Sequence, residues 1–224
     1  MNIIVATIKS WNLENFSKLK KSDKKNRWFL IDGKEKLTAE AVKKINPRYI
    51  FFPHWSWIVP ENIWKNYECV VFHMTDLPYG RGGSPLQNLI LRNYKKTKIS
   101  ALKVDEKIDG GDIYLKRDLS LSGSAQEIYE RASRIIFSQM SFIIKNTPTP
   151  KKQTGKVVVF KRRKPEQSKI PAGLSKEKLY DFIRMLDAEG YPRAFWETKN
   201  LRWEFFGAET DRGKLLAKVK IYEK

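Results

Sequence analysis

The chain has 224 residues, 41% of them hydrophobic, which is enough to bury an α/β core and one small appendage. It carries 44 Lys and Arg against 25 Asp and Glu, and this formal net charge of +19 favours a polyanionic partner such as a nucleotide or nucleic acid. A single cysteine excludes an internal disulfide framework, and no apolar run is long enough to span a membrane. The N-terminus lacks the features of a signal peptide, so we expect a cytoplasmic protein.

The first quarter of the chain alternates short apolar runs with amphipathic segments. Strands are predicted at residues 3–8, 28–31 and 49–52, and helices at 11–19 and 38–45. Strands that alternate with helices predict an α/β fold, a Rossmann-like doubly wound and mostly parallel sheet. The first turn lacks the Gly-x-Gly-x-x-Gly fingerprint, so no motif supports dinucleotide binding.

The segment Pro53-His-Trp-Ser-Trp-Ile-Val-Pro60 is unusual for a surface loop. It follows a strand end directly and holds two Trp and one His among few charges. One interpretation is a hydrophobic loop folded over the edge of the sheet. The other is a loop that lines a ligand slot.

A later stretch places one ionisable residue at the end of a buried strand. Cys69 to Phe72 is an unbroken apolar run, His73 ends it, and turn formers follow up to Ser84-Pro85. Ser84-Pro85 is typical of an N-cap and first residue of a helix. His73 therefore lies at the edge where open α/β sheets place their sites, although a histidine that merely closes a strand is equally consistent.

A carboxylate follows another predicted strand, residues 99–104. Asp109 precedes the turn formers Gly110 and Gly111. An Asp on a loop beside a His at a strand end would form an orienting pair. The carboxylate would fix the imidazole tautomer and favour its protonated form.

The remainder of the chain predicts one long helix and a short appendage. Ser124-Ala-Gln-Glu127 is a capping box that opens a helix to about Lys145. Thr147-Pro-Thr-Pro150 then interrupts the chain, so we expect a catalytic domain at 1–150 and a small C-terminal α+β segment at 151–224. In that segment Ser175 caps a helix, and short strands are predicted at 157–160, 191–196, 201–206 and 215–221.

Two motifs resemble the signatures of folate-dependent formyltransferases. His73, Leu77-Pro78, Arg81-Gly82 and Ser84-Pro85 have the order and spacing of the first signature, and residues 108–113 resemble the second, which carries the catalytic Asp. The resemblance covers about residues 1–145. The family usually has Asn two residues before the His, whereas this chain has Val71, which cannot donate a hydrogen bond.

The resemblance implies N10-formyl-tetrahydrofolate as the formyl donor and no metal. It implies His73 and Asp109 as catalytic residues, and His54 is the first candidate to replace the missing Asn. The implied cofactor-binding residues are Ser56, Trp57, Ile58, Val59, Asp105 and Lys107. The implied substrate-binding residues are Met74, Tyr79, Arg81 and Gly82.

The sequence leaves three interpretations of the formyl acceptor open. Gln153 and residues 160–168 resemble the segment that follows the catalytic domain in sugar-nucleotide formyltransferases, which favours a UDP- or dTDP-linked deoxyamino sugar and a role in glycan synthesis. Methionyl-tRNA is the alternative, supported by the basic tail, although family members that act on tRNA carry a longer C-terminal domain. The third reading is a non-catalytic basic module that binds nucleic acid, raised by Val71.

The C-terminal segment is too short to cover its own apolar residues well. We therefore expect residues from about Gly155 onward to form a homodimer contact, with Trp196, Trp203, Phe205 and Phe206 near it. The basic run 161–164 is either a solvated face or a contact to substrate phosphate.

Overall fold

The computed structural model describes all 224 residues. Its strands are β1 (Asn2–Ala6), β2 (Arg27–Ile31), β3 (Tyr49–Phe52), β4 (Cys69–His73), β5 (Tyr79–Gly82), β6 (Lys96–Lys103), β7 (Ile113–Ser120), β8 (Val158–Phe160), β9 (Ala194–Glu197), β10 (Leu201–Asp211) and β11 (Lys214–Glu223). Its α-helices are α1 (Ser10–Ser22), α2 (Ala39–Ile45), α3 (Glu61–Trp64), α4 (Pro85–Leu91), α5 (Ala125–Asn146) and α6 (Lys176–Arg184). None of these helices combines the length and the apolar content needed to cross a lipid bilayer.

Six strands form one mixed sheet in the order β2-β1-β3-β4-β6-β7. Strand β1 runs parallel to β2 and β3, and β3 runs parallel to β4. Strand β6 is antiparallel to β4 and pairs Ser100 with His73. The predicted α/β class with a mostly parallel sheet is confirmed. Its parallel part ends at β4, the strand that carries His73.

Strands β1 and β3 are apolar on both faces because helices and loops cover them. Ile3 to Ala6 and Ile50 to Phe52 are almost fully buried. Helix α2 begins where the Thr38 hydroxyl accepts the Ala41 N–H at 3.1 Å. It ends at Asn46, which adopts a left-handed conformation with φ 48°. Both ends agree with the sequence prediction.

The predicted local features hold in position, including Ser84-Pro85 at the start of α4, but one of them lacks the expected capping hydrogen bond. The Ser124–Glu127 capping box is present, since Glu127 Oε2 accepts the Ser124 N–H at 2.8 Å and Ser124 Oγ accepts the Glu127 N–H at 3.3 Å. Ser84, by contrast, is not a side-chain N-cap of α4. It has φ 49°, and its hydroxyl accepts the N–H of Arg163 at 3.0 Å. The demand for a partner from a distant segment outweighs the local capping preference.

The chain divides into two compact units, each built from three segments. The first unit comprises residues 1–82, 97–119 and 130–159, and the second comprises 83–96, 120–129 and 160–224. The domain boundary at residue 150 stays a prediction.

The second unit contains the antiparallel sheet β11-β10-β9. Trp203 of β10 lies between Trp196 of β9 and Ile221 of β11, and the two indole centroids are 4.9 Å apart. Trp196 is 51% exposed and Ile221 is 60% exposed, whereas Phe205 and Phe206 are half-buried. The sheet therefore presents apolar surface, and the homodimer contact stays a prediction.

Asn12 joins three segments of the first unit. It is completely buried at the start of α1, and its Nδ2 donates to Thr7 Oγ1 at 2.9 Å and to the Pro53 carbonyl at 3.1 Å. Thr7 follows β1 and Pro53 follows β3, so one amide fixes the carboxyl edge of the sheet where the 53–60 loop begins.

We predict that Asn12→Ala lowers the free energy of unfolding by about 1–3 kcal/mol, because the buried oxygens of Thr7 and Pro53 lose their donor. Chemical denaturation measures this change. The control is Asn66→Ala, since Asn66 is exposed and its side-chain Nδ2 donates to Asn62 O in its own turn. Equal destabilisation by the two substitutions would contradict the structural role of Asn12.

Candidate functional site

The structure brings His73 and Asp109 together. His73 is 8% exposed, and its Nδ1 lies 3.4 Å from Asp109 Oδ1. Its Nε2 lies 2.7 Å from the carbonyl oxygen of Gly80. Both ring nitrogens face oxygen acceptors, so only the doubly protonated imidazole can donate to both at once.

Asp109 occupies a backbone conformation that is uncommon for a residue with a side chain. Its φ is 52°, in the left-handed region. Its Oδ2 accepts the N–H of Gly82 at 2.8 Å. The carboxylate therefore bridges His73 at the end of β4 and Gly82 at the end of β5. Such conformations persist where surrounding contacts over-determine them, and they concentrate at functional sites.

Gln153 completes this arrangement. Its Nε2 donates to the carbonyl oxygens of Asp109 and Gly111, both at 2.8 Å. Its Oε1 accepts from Arg81 Nε at 3.2 Å and Arg81 Nη2 at 2.8 Å. Sequence reasoning assigned no role to Gln153, because it lies outside both motifs and in the segment that follows the long helix.

The predicted substrate-binding residues differ in their exposure and in whether their polar groups already have hydrogen-bond partners. Tyr79 and Arg81 are half-buried, and the Arg81 guanidinium is engaged by Gln153. The Gly82 N–H is engaged by Asp109. Met74 is only 7% exposed and packs in the core, and its role in substrate binding stays a prediction.

The 53–60 loop combines exposed apolar surface with one orphan donor. Ile58 is 80% exposed, Ser56 is exposed, and Trp57 packs edge-on against Trp55 with a centroid distance of 4.8 Å. The Trp55 Nε1 atom is buried without a hydrogen-bond partner. Val59 is 5% exposed and belongs to the hydrophobic core, so only its backbone can face a ligand. A flat heteroaromatic ligand that carries acceptors fits this surface.

Asp105 and Lys107 shape the loop that leads to Asp109. Asp105 Oδ1 accepts the Lys107 N–H at 2.9 Å. Ile108, directly before Asp109, is 69% exposed. Like Ile58, it is a large apolar side chain that the protein leaves uncovered. Cofactor binding by Asp105 and Lys107 stays a prediction.

His54 is held in a neutral state. Its φ is 55°, and its ring lies 5.6 Å from that of Trp11. Burial, with a smaller contribution from the charge of Lys9, lowers the pKa of His54 from 6.5 to about 3. At neutral pH His54 can therefore donate only as a neutral imidazole. Its role as a replacement for the missing Asn stays a prediction.

Comparison with known proteins finds relatives over the whole chain. The family model described as "Methionyl-tRNA formyltransferase, C-terminal domain" matches residues 165–222. A solved structure, methionyl-tRNA formyltransferase from Clostridium thermocellum, is 57% identical, with a TM-score of 0.98 and 100% of each chain covered. A curated methionyl-tRNA formyltransferase from Thermodesulfovibrio yellowstonii is 26% identical over 153 residues, covering 65% of this chain and 50% of its own length. The chain thus spans about half the length of that curated relative.

Two further solved structures share the fold at low identity. HypX from Aquifex aeolicus in complex with tetrahydrofolic acid is 16% identical, with a TM-score of 0.76, over 92% of this chain and 37% of its own. A sugar N-formyltransferase from a Shewanella species is 13% identical, with a TM-score of 0.67, over 97% of this chain and 96% of its own.

The pKa of His54 generates a prediction about acid stability. Below its usual pKa of 6.5 the unfolded chain binds a proton at His54, whereas the folded chain does not until about 3, so His54 destabilises the fold as the pH falls through this window. His54→Gln cannot titrate. We therefore compare the melting temperature of His54→Gln with that of the wild type at each pH. The difference, variant minus wild type, should increase as the pH is lowered from about 7 to about 4.5. A difference that is constant with pH would contradict the buried neutral imidazole, and Lys152→Ala serves as the exposed control.

Proposed function

Because the chain belongs to the folate-dependent formyltransferase family, we propose that it transfers a formyl group from N10-formyl-tetrahydrofolate to the amino group of methionyl-tRNA. The observation that carries this proposal is the full-length likeness to the C. thermocellum enzyme, joined by the C-terminal family match. The sequence alone favoured a nucleotide-linked amino sugar, whereas the full-length likeness and the C-terminal family match support its methionyl-tRNA alternative better. The solved sugar N-formyltransferase shares only the fold, so nothing favours a sugar acceptor or glycan synthesis over the tRNA alternative.

The formyl donor fits the surfaces of the first unit. When bound, N10-formyl-tetrahydrofolate supplies the activated formyl group. We assign its pterin to the 53–60 loop, where Trp57 and Ile58 offer apolar surface and Trp55 Nε1 offers an unused donor. The exposed side chain of Ile108 offers similar surface next to Asp109.

His73 is assigned as the donor to the formyl oxygen, where negative charge develops during transfer. A preorganised hydrogen-bond donor stabilises developing negative charge far more strongly in a site with little water than it does in solution. The Nε2 atom of His73 now faces the Gly80 carbonyl. During transfer the Nε2–H would exchange that acceptor for the formyl oxygen, while Asp109 keeps Nδ1 protonated and the ring fixed.

Asp109 is assigned a second task, to accept the proton that the attacking amine loses, which passes to the nitrogen of the formyl donor as its bond to the formyl carbon breaks. Its carboxylate makes two contacts, to His73 and to Gly82, and a carboxylate has lone pairs beyond these. General-base assistance of this kind typically contributes about 10²–10⁴-fold to a rate. A single carboxylate would thus position the donor and receive the proton.

The charge of the protein suits a nucleic-acid acceptor. The net charge of +19 attracts tRNA phosphates, and the exposed side chains of Lys151, Lys152 and Lys156 flank Gln153 in sequence. Binding that depends on phosphate neutralisation weakens steeply with salt.

We predict that His73→Ala and Asp109→Asn each lower kcat for formylation of methionyl-tRNA by about 10²–10³-fold, because each removes a group that acts on developing charge. Transfer from N10-formyl-tetrahydrofolate is measured with methionyl-tRNA and, in parallel, with UDP- and dTDP-linked amino sugars. Thr154→Ala is the exposed control.

Two results would contradict these assignments. A near-wild-type kcat in either variant would remove that residue from the mechanism. Formylation of an amino sugar without formylation of methionyl-tRNA would replace the proposed acceptor.

A further inference from the structure

We propose that Gln153 is a positioning residue for formyl transfer, which holds Asp109 in its catalytic orientation and ties it to Arg81. The proposal rests on the proposed function. Gln153 lies beyond the long helix α5, in a segment that neither motif includes.

The hydrogen bonds of Gln153 use its whole side-chain amide. Two N–H donors meet the carbonyl oxygens of Asp109 and Gly111, and the amide oxygen meets two donors of Arg81. These partners fix which way the amide points. A flipped amide would place its oxygen against two carbonyl oxygens and its NH₂ against a guanidinium, which only donates.

Gly110 and Gly111 have no side chains that could stabilise the turn at residues 109–111. A Cβ on Gly111 would lie 1.9 Å from the Lys103 carbonyl oxygen, and one on Gly110 would lie 2.6 Å from Lys107 Cβ. Both positions therefore require glycine, which contributes backbone freedom and no contacts. The left-handed Asp109 lies at the start of this turn. Gln153 lies outside the turn and restrains it. Its amide bridges the carbonyl oxygens of Asp109 and Gly111, the first and last residues of the turn.

Gln153 also closes a ring of interactions around the site. Its amide oxygen binds the Arg81 side chain, and the next residue, Gly82, donates its N–H to the Asp109 carboxylate. Gln153 then donates back to the Asp109 carbonyl. Strand β5 and the 109–111 turn are thereby fixed to each other at two points, and the carboxylate is directed at His73 Nδ1.

If Gln153 had only a structural role, its loss would lower the stability of the whole protein. The surroundings of Gln153 argue against such a role. Lys151, Lys152, Thr154 and Gly155 are exposed, and Gln153 itself is half-buried. Loss of its side chain removes little apolar contact. The expected consequence is local freedom of Asp109, and small misplacements of a catalytic group cost up to about 10²-fold in rate.

Two substitutions distinguish the contribution of the amide NH₂ of Gln153 from that of its amide oxygen. Gln153→Ala removes all of its contacts. Gln153→Glu keeps the acceptor for Arg81 but replaces the donors to Asp109 and Gly111 with an oxygen that repels both carbonyl groups. Thr154→Ala is the neighbouring control, because Thr154 is exposed and uncharged. Each variant is assayed for kcat and KM with N10-formyl-tetrahydrofolate and methionyl-tRNA, for melting temperature, and for the NMR signals of the ring carbons of its two histidines.

We expect kcat to fall about 10–100-fold in both Gln153 variants, with KM for the formyl donor changing less than about threefold. The melting temperature should stay near that of the wild type, and the His73 ring signal should shift while that of His54 does not. A Gln153→Ala kcat within threefold of the wild type would overturn the proposal. So would a Gln153→Glu variant as active as the wild type, because Gln153 would then act only through Arg81.

The NMR readout needs no turnover, so it separates this proposal from the proposed function. If the wild type formylates no methionyl-tRNA, the acceptor assignment fails, yet a His73 signal that responds to Gln153→Glu still supports the clamp on Asp109. An unchanged His73 signal in both variants overturns the clamp. If Gln153→Ala does not fold, a role in global stability replaces the positioning role.

Discussion

The carboxylate of Asp109 is the point on which the rest of the site depends. One oxygen lies beside His73 Nδ1 and the other accepts the Gly82 N–H, so a single side chain connects the ends of β4 and β5. Strand β6 runs antiparallel to β4, and the loop that follows it returns to the carboxyl edge where His73 ends its strand. Strand β6 ends at Lys103, opposite Val70 near the start of β4, so it is the course of the loop after β6 that brings a residue 36 positions later in the chain (109 − 73) into contact with His73.

The sequence predicted those parts of the fold and site that local chemistry determines. An apolar run that stops at His73, a Gly-Gly turn behind Asp109 and capping residues at Ser124 and Ser175 all act within a few residues. The structure agrees at each. The pairing of His73 with Asp109 was expected from the two motifs, whereas the edge rule for parallel strands does not account for it, because β6 runs antiparallel to β4.

Residues whose partners come from distant segments could not be predicted in this way. Gln153 acquires its role from carbonyl groups more than 40 residues away, and nothing in its neighbours reports this. The Ser84 hydroxyl serves Arg163 rather than the helix that it precedes. Val59 and Met74 lie in segments of mixed polarity, and only packing reveals that both belong to the core. Similarity at the level of a motif also did not specify the acceptor, since enzymes with different acceptors share this fold.

We propose that His73 and Asp109 act as one unit, and a double-mutant cycle in single-turnover formylation of methionyl-tRNA tests this coupling. We predict that His73→Ala combined with Asp109→Asn is no more than about threefold slower than the slower single variant, because residues that act together are strongly non-additive. Rate losses that multiply across the two substitutions would contradict it, since the two side chains would then act independently.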